Sequence, residues 1–142
     1  EKFLINFFRE NSSLIKNNKI KIAFEIDYEP KRVSNFINQF DNESIGINYD
    51  IGNSASLGFD PIQEFSLYGS KIFNIHVKDR KYKGGTVSLG EGNADIPLVL
   101  SLTKKINYLG NYIFQTARAK EKKHIQIMHK YYEDLMDALS SC

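Results

Sequence analysis

The sequence predicts an α/β fold in which four parallel strands alternate with helices. A short apolar run rich in Ile, Phe and Tyr occurs four times along the chain, and each run is too short to form the core of a helix. A longer segment with helical spacing of its apolar residues follows each run. Because regular alternation of strand and helix is typical of a parallel sheet, we expect one such sheet.

The four strands are predicted from the length and the composition of these runs. Their sequences are KIKIAFE, IGINYD, KIFNIHV and NYIFQT, at 19–25, 45–50, 71–77 and 111–116. Isoleucine and aromatic side chains favour the pleated surface of a sheet. Each run is therefore interpreted as a strand that leads into the helix after it.

The helices are predicted from proline positions and apolar stripes. Pro30 and Pro61 stand where the first turn of a helix tolerates proline, and Asp60 is a suitable N-cap. Helices are expected at about 31–41, 61–69, 95–107 and 121–139, and an apolar pattern of helical spacing also runs from residue 3 to residue 15. Met128 and Met136, on the last helix, are expected to fill the core.

One connection is longer than the others. The segment KDRKYKGGTVSLGEGN, at 78–93, is rich in glycine and lies between the third strand and the next helix. Long loops in compact domains are commonly functional, so this segment is expected to border a binding site.

Composition and charge narrow the class of protein. The 142 residues are 42% hydrophobic and 25% charged, which is typical of one soluble globular domain. A net charge of +2 with scattered basic residues argues against a nucleic-acid surface. No apolar stretch reaches the roughly 20 residues that span a bilayer, and no signal segment is recognised. The single cysteine, Cys142, excludes a disulfide framework and a Cys-based zinc site, so a cytoplasmic location is expected.

Each predicted strand ends in a polar residue that an apolar sheet interior would not favour. These residues are Glu25, Asp50, His76 and Gln115. Because ligands bind at the carboxyl ends of parallel strands, the four side chains are expected to converge on one rim. Two carboxylates, an imidazole and an amide oxygen suit Mn²⁺ or Mg²⁺, and less exclusively Zn²⁺ or Co²⁺.

A structural interpretation of each residue stands beside the metal hypothesis. A single Glu or Asp at a strand end is commonly a helix cap or a solvated loop residue. A single histidine such as His76 is commonly a hydrogen-bonded structural residue. Four such residues at equivalent places favour a shared site.

Several runs of the sequence together resemble one known family. They are AFEID at 23–27, NYDIGNSASLG at 48–58, NIHVKDR at 74–80, LGEGNADI at 89–96 and YLGNYIFQTAR at 108–118. They resemble the second half of the sugar isomerase/epimerase family with the xylose isomerase-like TIM barrel. The resemblance is closest to the branch of L-ribulose- and L-xylulose-5-phosphate 3-epimerases and hexulose-6-phosphate isomerases. It implies that residues 1–142 form the C-terminal half of a (β/α)8 TIM barrel.

The resemblance also implies roles for the residues at the strand ends. Glu25 would be both a metal ligand and a catalytic base, and Asp50 and His76 would be metal ligands. The end of the last strand would supply a fourth ligand, and Gln115 stands where the family usually has a second, basic Glu. An amide oxygen can coordinate a cation but cannot accept a proton at neutral pH. Proton transfer along a single face of the substrate is then expected. Inversion of configuration at a carbon would need a second acid such as Asp79 or a water.

A second group of residues is expected to contact substrate. An asparagine three positions after Asp50 is similar in place to a substrate contact of the family, although it could instead bond its own backbone. Charged residues beyond His76 and Gln115 could meet a phosphate or a sugar hydroxyl, or remain solvated or pair with a surface carboxylate. The predicted contacts are Asn53, Lys78, Asp79, Arg80, Glu91 and Arg118.

Four strand–helix units supply only half of an eight-stranded barrel. Something must cover the two open edges. The alternatives are a missing N-terminal half, a second copy of this chain in a homodimer, and a different partner. The chain is expected to lack an upstream part, because it begins abruptly inside an apolar pattern.

Three classes of function follow from the pattern. The preferred class is a metal-dependent isomerase or epimerase of a sugar or sugar phosphate, acting through an enediolate. An abasic-site endonuclease would need more His and carboxylate ligands than this chain shows. A non-catalytic barrel that binds a sugar or a protein would agree with Gln115.

Overall fold

A computed structural model of the chain describes residues 1–40, 43–119 and 122–141. Its strands are β1 (Ile22–Phe24), β2 (Ile45–Asp50), β3 (Ile72–Val77), β4 (Asp79–Arg80), β5 (Thr86–Val87) and β6 (Asn111–Phe114). Strands β1, β2, β3 and β6 form one parallel sheet in that order, and β4 and β5 form a separate antiparallel pair. The prediction of four parallel strands that alternate with helices is confirmed.

The α-helices agree with the predicted ones apart from one addition, α4. They are α1 (Lys2–Glu10), α2 (Ser12–Asn17), α3 (Pro30–Ile37), α4 (Ile51–Leu57), α5 (Pro61–Tyr68), α6 (Ile96–Lys105) and α7 (His124–Ser141), and a short 3₁₀-helix, Gly69–Lys71, follows α5. Asp60 accepts a hydrogen bond from the backbone N–H of Ile62 at 3.0 Å, as its predicted capping role requires. Helix α4 was not predicted, because it follows β2 without a turn. The predicted helix ends at 41 and 121, and Cys142, lie outside the described residues.

The sheet has one apolar and one polar face. Side chains alternate between the two faces of a strand, and Ile45, Ile47 and Tyr49 of β2 are buried on the helical side together with Ile75 of β3. Toward the carboxyl ends of these strands the other face is polar, with Asn48 and Asp50 on β2 and Asn74 and His76 on β3. The helices therefore cover one side of the sheet, and its polar side is the one that would line a barrel interior.

Helix α7 turns Tyr131 and Leu135, and not its two methionines, toward the core. Tyr131 and Leu135 are its buried residues, whereas Met128 and Met136 are exposed, so the prediction that these methionines fill the core is wrong. The backbone N–H of Leu89 donates to the Tyr131 hydroxyl at 3.2 Å, which helps to turn this face inward. None of the helices within the described ranges is long and apolar enough to cross a membrane.

Candidate metal centre

Three side chains of the kind that bind metals meet at the carboxyl end of the sheet. Glu25 follows β1, Asp50 ends β2, and His76 of β3 is the register partner of Asp50. One ligand-type atom from each residue lies within 4.8 Å of those of the other two. His76 Nδ1 lies 3.4 Å from Glu25 Oε2 and 3.6 Å from Asp50 Oδ2. The fold thus brings together three of the four residues that the sequence places at strand ends.

The chemistry of these three groups fits a divalent cation. The Asp50 side chain is only 2% exposed, whereas that of Glu25 is 39% exposed. A buried carboxylate is costly unless a positive charge is close to it, and Lys78 Nζ supplies one at 3.2 Å from Asp50 Oδ2, to which a cation would add. Carboxylate oxygens and an imidazole nitrogen are ligands of Mn²⁺, Mg²⁺, Zn²⁺ and Co²⁺. Glu25 is the ligand-type residue most open to a bound molecule.

Asp50 has a structural duty as well as its place in this cluster. Its Oδ1 accepts a hydrogen bond from the backbone N–H of Asn53 at 2.8 Å, which makes Asp50 the N-cap of α4. Its Oδ2 is the atom that faces His76 and Lys78. One carboxylate oxygen therefore anchors a helix and the other is directed at the cluster.

Asn53, predicted to contact substrate, connects the acidic and basic sides of the rim. Its Nδ2 donates to Glu25 Oε1 at 3.1 Å and to Asp27 Oδ1 at 3.4 Å. Its Oδ1 accepts from Arg80 Nη1 at 2.8 Å and from Lys78 Nζ at 3.3 Å. The side chain bonds across the rim rather than to its own backbone, and its contact with substrate stays a prediction.

Two asparagines that the sequence analysis missed form a polar layer below the cluster. Asn74 Nδ2 donates to Asn48 Oδ1 at 2.6 Å, and Asn48 Nδ2 donates to Glu25 Oε2 at 2.8 Å. Asn48 Nδ2 also lies 3.2 Å from His76 Nδ1. Hydrogen bonds of this kind orient metal ligands. The available signal was spacing, since each asparagine lies two residues before a candidate ligand and so shares its face of the strand.

Gln115 joins the rim through Lys78. Its backbone N–H continues the pairing of β6 with β3 by donating to the Val77 carbonyl at 3.1 Å. Lys78 Nζ donates to Gln115 Oε1 at 2.8 Å and to Asp50 Oδ2 at 3.2 Å. The ammonium therefore lies between the amide and the carboxylate. The role of Gln115 as a fourth metal ligand stays a prediction.

Asp79 bonds to the long connection, and its predicted contact with substrate stays a prediction. The side chain is buried, and its oxygens accept hydrogen bonds from the backbone N–H groups of Gly90 at 2.9 Å, Gly92 at 2.7 Å and Ala94 at 3.0 Å. These bonds hold the far end of the 78–93 connection against β4. Asp79 is thus occupied by the loop, apart from the cluster of Glu25, Asp50 and His76.

Adding a methyl group at Gly92 is expected to disturb this loop. A Cβ there would lie 1.9 Å from Asp79 Oδ1 and 2.7 Å from the Arg80 carbonyl oxygen. We expect Gly92→Ala to lower the free energy of unfolding by about 1–3 kcal/mol, measured by urea denaturation. Gly85→Ala is the matched control, because nothing lies within 4 Å of a Cβ at that position. Equal stability of the two variants would contradict the assigned loop structure.

The remaining predicted contacts lie at different depths. Arg80 is partly buried, and its Nη2 donates to the Gly84 carbonyl at 2.8 Å while its Nη1 holds Asn53. Glu91 and Arg118 are exposed. The structure therefore places Arg80 at the rim, and the contacts of all three residues with substrate stay predictions.

Behind Asp50 lies a buried acidic group that the sequence analysis also missed. Glu64 of α5 accepts hydrogen bonds from the Tyr68 hydroxyl at 2.7 Å, from the Tyr49 hydroxyl at 2.8 Å and from the Ser54 hydroxyl. Burial raises the pKa of the Glu64 carboxyl. Burial and the nearby Glu64 charge raise the pKa values of both tyrosines, which keeps their hydroxyls protonated. The group ties α5 to the end of β2 and to α4.

Comparison with known proteins supports the assignment of the fold. Residues 3–142 match the xylose isomerase-like TIM barrel family. An uncharacterized protein of Methanocaldococcus jannaschii is 25% identical over 108 residues, which cover 73% of this chain and 37% of that relative. The chain thus spans little more than a third of the curated relative that it matches. The resemblance deduced from the sequence motifs is confirmed.

Solved structures share the fold along nearly the whole chain. A xylose isomerase domain protein from Planctomyces limnophilus has a TM-score of 0.80 at 18% identity and covers 99% of this chain and 55% of its own. The IOLI protein, solved with a zinc atom, has a TM-score of 0.76 at 19% identity, with coverages of 96% and 55%. An L-ribulose 3-epimerase has a TM-score of 0.72 at 15% identity, with coverages of 89% and 49%. A similar barrel from Mycobacterium smegmatis was solved with magnesium, with a TM-score of 0.73, 17% identity and coverages of 99% and 50%. The chain is thus similar to about half of each structure.

Proposed function

Because the chain belongs to the xylose isomerase-like TIM barrel family, we propose that it carries the metal centre of a sugar or sugar-phosphate isomerase or epimerase. The observation that carries this proposal is the meeting of Glu25, Asp50 and His76, whose ligand-type atoms lie within 4.8 Å of one another. These three residues would hold a divalent cation, Mn²⁺ or Mg²⁺ by preference and Zn²⁺ or Co²⁺ as alternatives. Similar structures contain zinc or magnesium, which supports a metal at this rim.

Glu25 is proposed as the catalytic base. Its two oxygens accept hydrogen bonds from Asn48 and Asn53, which fix the orientation of the carboxylate, and its side chain is the most exposed of the three. It would remove the proton from the hydroxyl-bearing carbon next to the carbonyl group of a ketose. A bound cation would polarise those two oxygens and stabilise the resulting enediolate.

The amide side chain of Gln115 favours proton transfer along one face of the substrate. An amide cannot act as a second base, so direct inversion would need another proton donor. Asp79 is unsuited to that task, because its carboxylate is buried and accepts three backbone hydrogen bonds. We therefore propose an aldose–ketose type of isomerisation. Inversion would require a water or a group outside residues 1–142.

The same site suggests which molecules would bind. Arg80 places positive charge beside Asn53, and Arg118 lies exposed after β6, so a sugar phosphate is a suitable substrate. Strands β1 and β6 are the edges of the sheet. Since the chain spans about half of its structural neighbours, we propose that residues 1–142 are the C-terminal half of a barrel. An N-terminal half or a second copy of the chain would close it.

Proton exchange from solvent tests the proposed activity. The full-length protein is incubated with ketoses and ketose phosphates in D₂O, with and without Mn²⁺, and the products are analysed by NMR spectroscopy. We expect deuterium at the carbon next to the carbonyl only when metal is present, and the same assay gives the stereochemistry of the product. If metal is supplied and neither deuterium exchange nor turnover is detected, the proposal is contradicted.

A second function is favoured by one observation. Gln115 stands at the position of a second base and accepts a hydrogen bond from Lys78, which agrees with a barrel that binds a sugar or a protein without turnover. Activity gained on Gln115→Glu substitution would favour an enzyme that has lost a base. Failure of the full-length protein to take up metal would favour the binding protein.

A further inference from the structure

The Lys78 side chain is held in the rim by three hydrogen bonds. Its side chain is 13% exposed, and its Nζ meets three acceptors: Gln115 Oε1 at 2.8 Å, Asp50 Oδ2 at 3.2 Å and Asn53 Oδ1 at 3.3 Å. A lysine ammonium has three N–H donors and no acceptor, so its hydrogen-bonding capacity is fully used. Such an ammonium is held by the protein and is not free to follow a substrate.

The contacts of Gln115 point to the same conclusion. The side chain of Gln115 follows β6 and is directed at Lys78, and Oε1 is the only strong acceptor atom of that side chain. Asp50 Oδ2 has two charged or polar neighbours, Lys78 Nζ at 3.2 Å and His76 Nδ1 at 3.6 Å. The ammonium thus takes the corner of the rim that lies between Asp50 and the end of the last strand.

We propose that Lys78 and Gln115 together replace a fourth metal ligand. This proposal rests on the proposed function. In it, Gln115 holds the Lys78 ammonium and the ammonium holds Asp50. The ligands that the chain supplies to a cation are then Glu25, Asp50 and His76 alone. Lys78 is therefore a positioning residue. Its charge fixes Asp50 and weakens metal binding, because like charges repel at short range in a partly buried site.

Metal affinity tests this assignment without any need for a substrate. Isothermal titration of Mn²⁺ into the full-length protein is compared for the wild type, Lys78→Met and Lys78→Gln. Both variants remove the charge, and the glutamine keeps a hydrogen-bonding group if the methionine disturbs the fold. We expect each to bind Mn²⁺ at least about tenfold more tightly than the wild type. Lys71→Met, directly before β3 and therefore at the end of that strand far from Lys78, is the control and should leave the affinity unchanged.

The partner residue provides an independent measurement. We expect Gln115→Ala to change the Mn²⁺ affinity by no more than about twofold, because the amide is not a ligand. Gln115→Glu alone should pair with Lys78 and have a small effect. The double variant Lys78→Met with Gln115→Glu should gain a ligand and bind more tightly than the two single effects combined.

The outcomes separate this inference from the function on which it rests. Lys78 variants that bind Mn²⁺ as weakly as the wild type, or more weakly, overturn the inference and leave the proposed metal centre in place. A tenfold loss in Gln115→Ala also overturns it, since the amide would then be a ligand. If neither the wild type nor Lys78→Met binds Mn²⁺, the metal centre and the inference are both wrong.

Discussion

Replacing Asp50 by asparagine is expected to lower the Mn²⁺ affinity of the full-length protein by at least about 100-fold, beyond the loss typical of residues that only orient ligands. The substitution removes the negative charge of the most buried ligand-type group, whose Oδ2 faces His76. Asparagine caps helices as well as aspartate does, so α4 should retain its N-cap. Isothermal titration measures the affinity, and thermal unfolding followed by circular dichroism shows that the fold is intact.

Asp60→Asn is the matched control for this experiment. Asp60 is also an N-cap aspartate, and it accepts from the backbone N–H of Ile62 at the start of α5, but it is exposed and is not one of the three clustered residues. Its substitution should leave the affinity for Mn²⁺ unchanged. Equal affinities of Asp50→Asn and the wild type would exclude Asp50 as a ligand.

The second large effect is expected at Glu64, which is buried among three hydroxyl groups. Glu64→Leu would remove the acceptor for the hydroxyls of Tyr49, Ser54 and Tyr68. The Tyr49 hydroxyl can still donate to Ser54 Oγ at 3.3 Å, so two buried donors are left without a partner. Each costs about 1–3 kcal/mol, and we expect the free energy of unfolding to fall by about 2 kcal/mol or more. Urea denaturation measures the loss, and Glu133→Leu on the exposed side of α7 is the control. A loss no larger than that of the control would contradict the buried network.

The stability of the wild type should also depend on pH through Glu64. Its folded-state pKa is raised by burial above the ordinary value of 4.5, so the folded protein holds a proton that the unfolded chain releases. The contribution of Glu64 to stability is therefore greatest below pH 4.5 and is lost as the pH rises through the folded-state pKa. Glu64→Gln lacks this titration. We expect the stability of this variant relative to the wild type to increase from pH 4 to pH 8, and a constant difference would contradict the raised pKa.

The fold could be predicted because its signals are local. Four apolar runs and the prolines at helix starts are visible in the sequence, and strands form where they were expected. The extent of an edge strand is not local, however. Strand β1 covers only Ile22–Phe24, although the apolar run is longer, because its pairing with β2 involves only the residues from Ile22 to Phe24. Helix α4 was missed because Asp50 serves both as the last residue of β2 and as the N-cap.

The candidate site could be predicted only in part. The rule that ligands gather at strand ends led to Glu25, Asp50 and His76. It could not show that Asn48 supports Glu25, because an asparagine inside a strand has no distinctive local pattern. Glu64 was missed for a related reason, since an acidic residue in the first turn of a helix is ordinary and only the packing of α5 reveals that it is buried.

The double duty of Asp50 bears on how related sequences should be interpreted. A descendant that no longer needed a cation would still benefit from Asp or Asn at this position, because the first turn of α4 depends on it. Survival of Asp50 in a sequence is thus weak evidence that the chemistry has survived. Glu25 and His76 cap no helix, so their presence or loss would be the better guide to which members of such a lineage have kept a working centre.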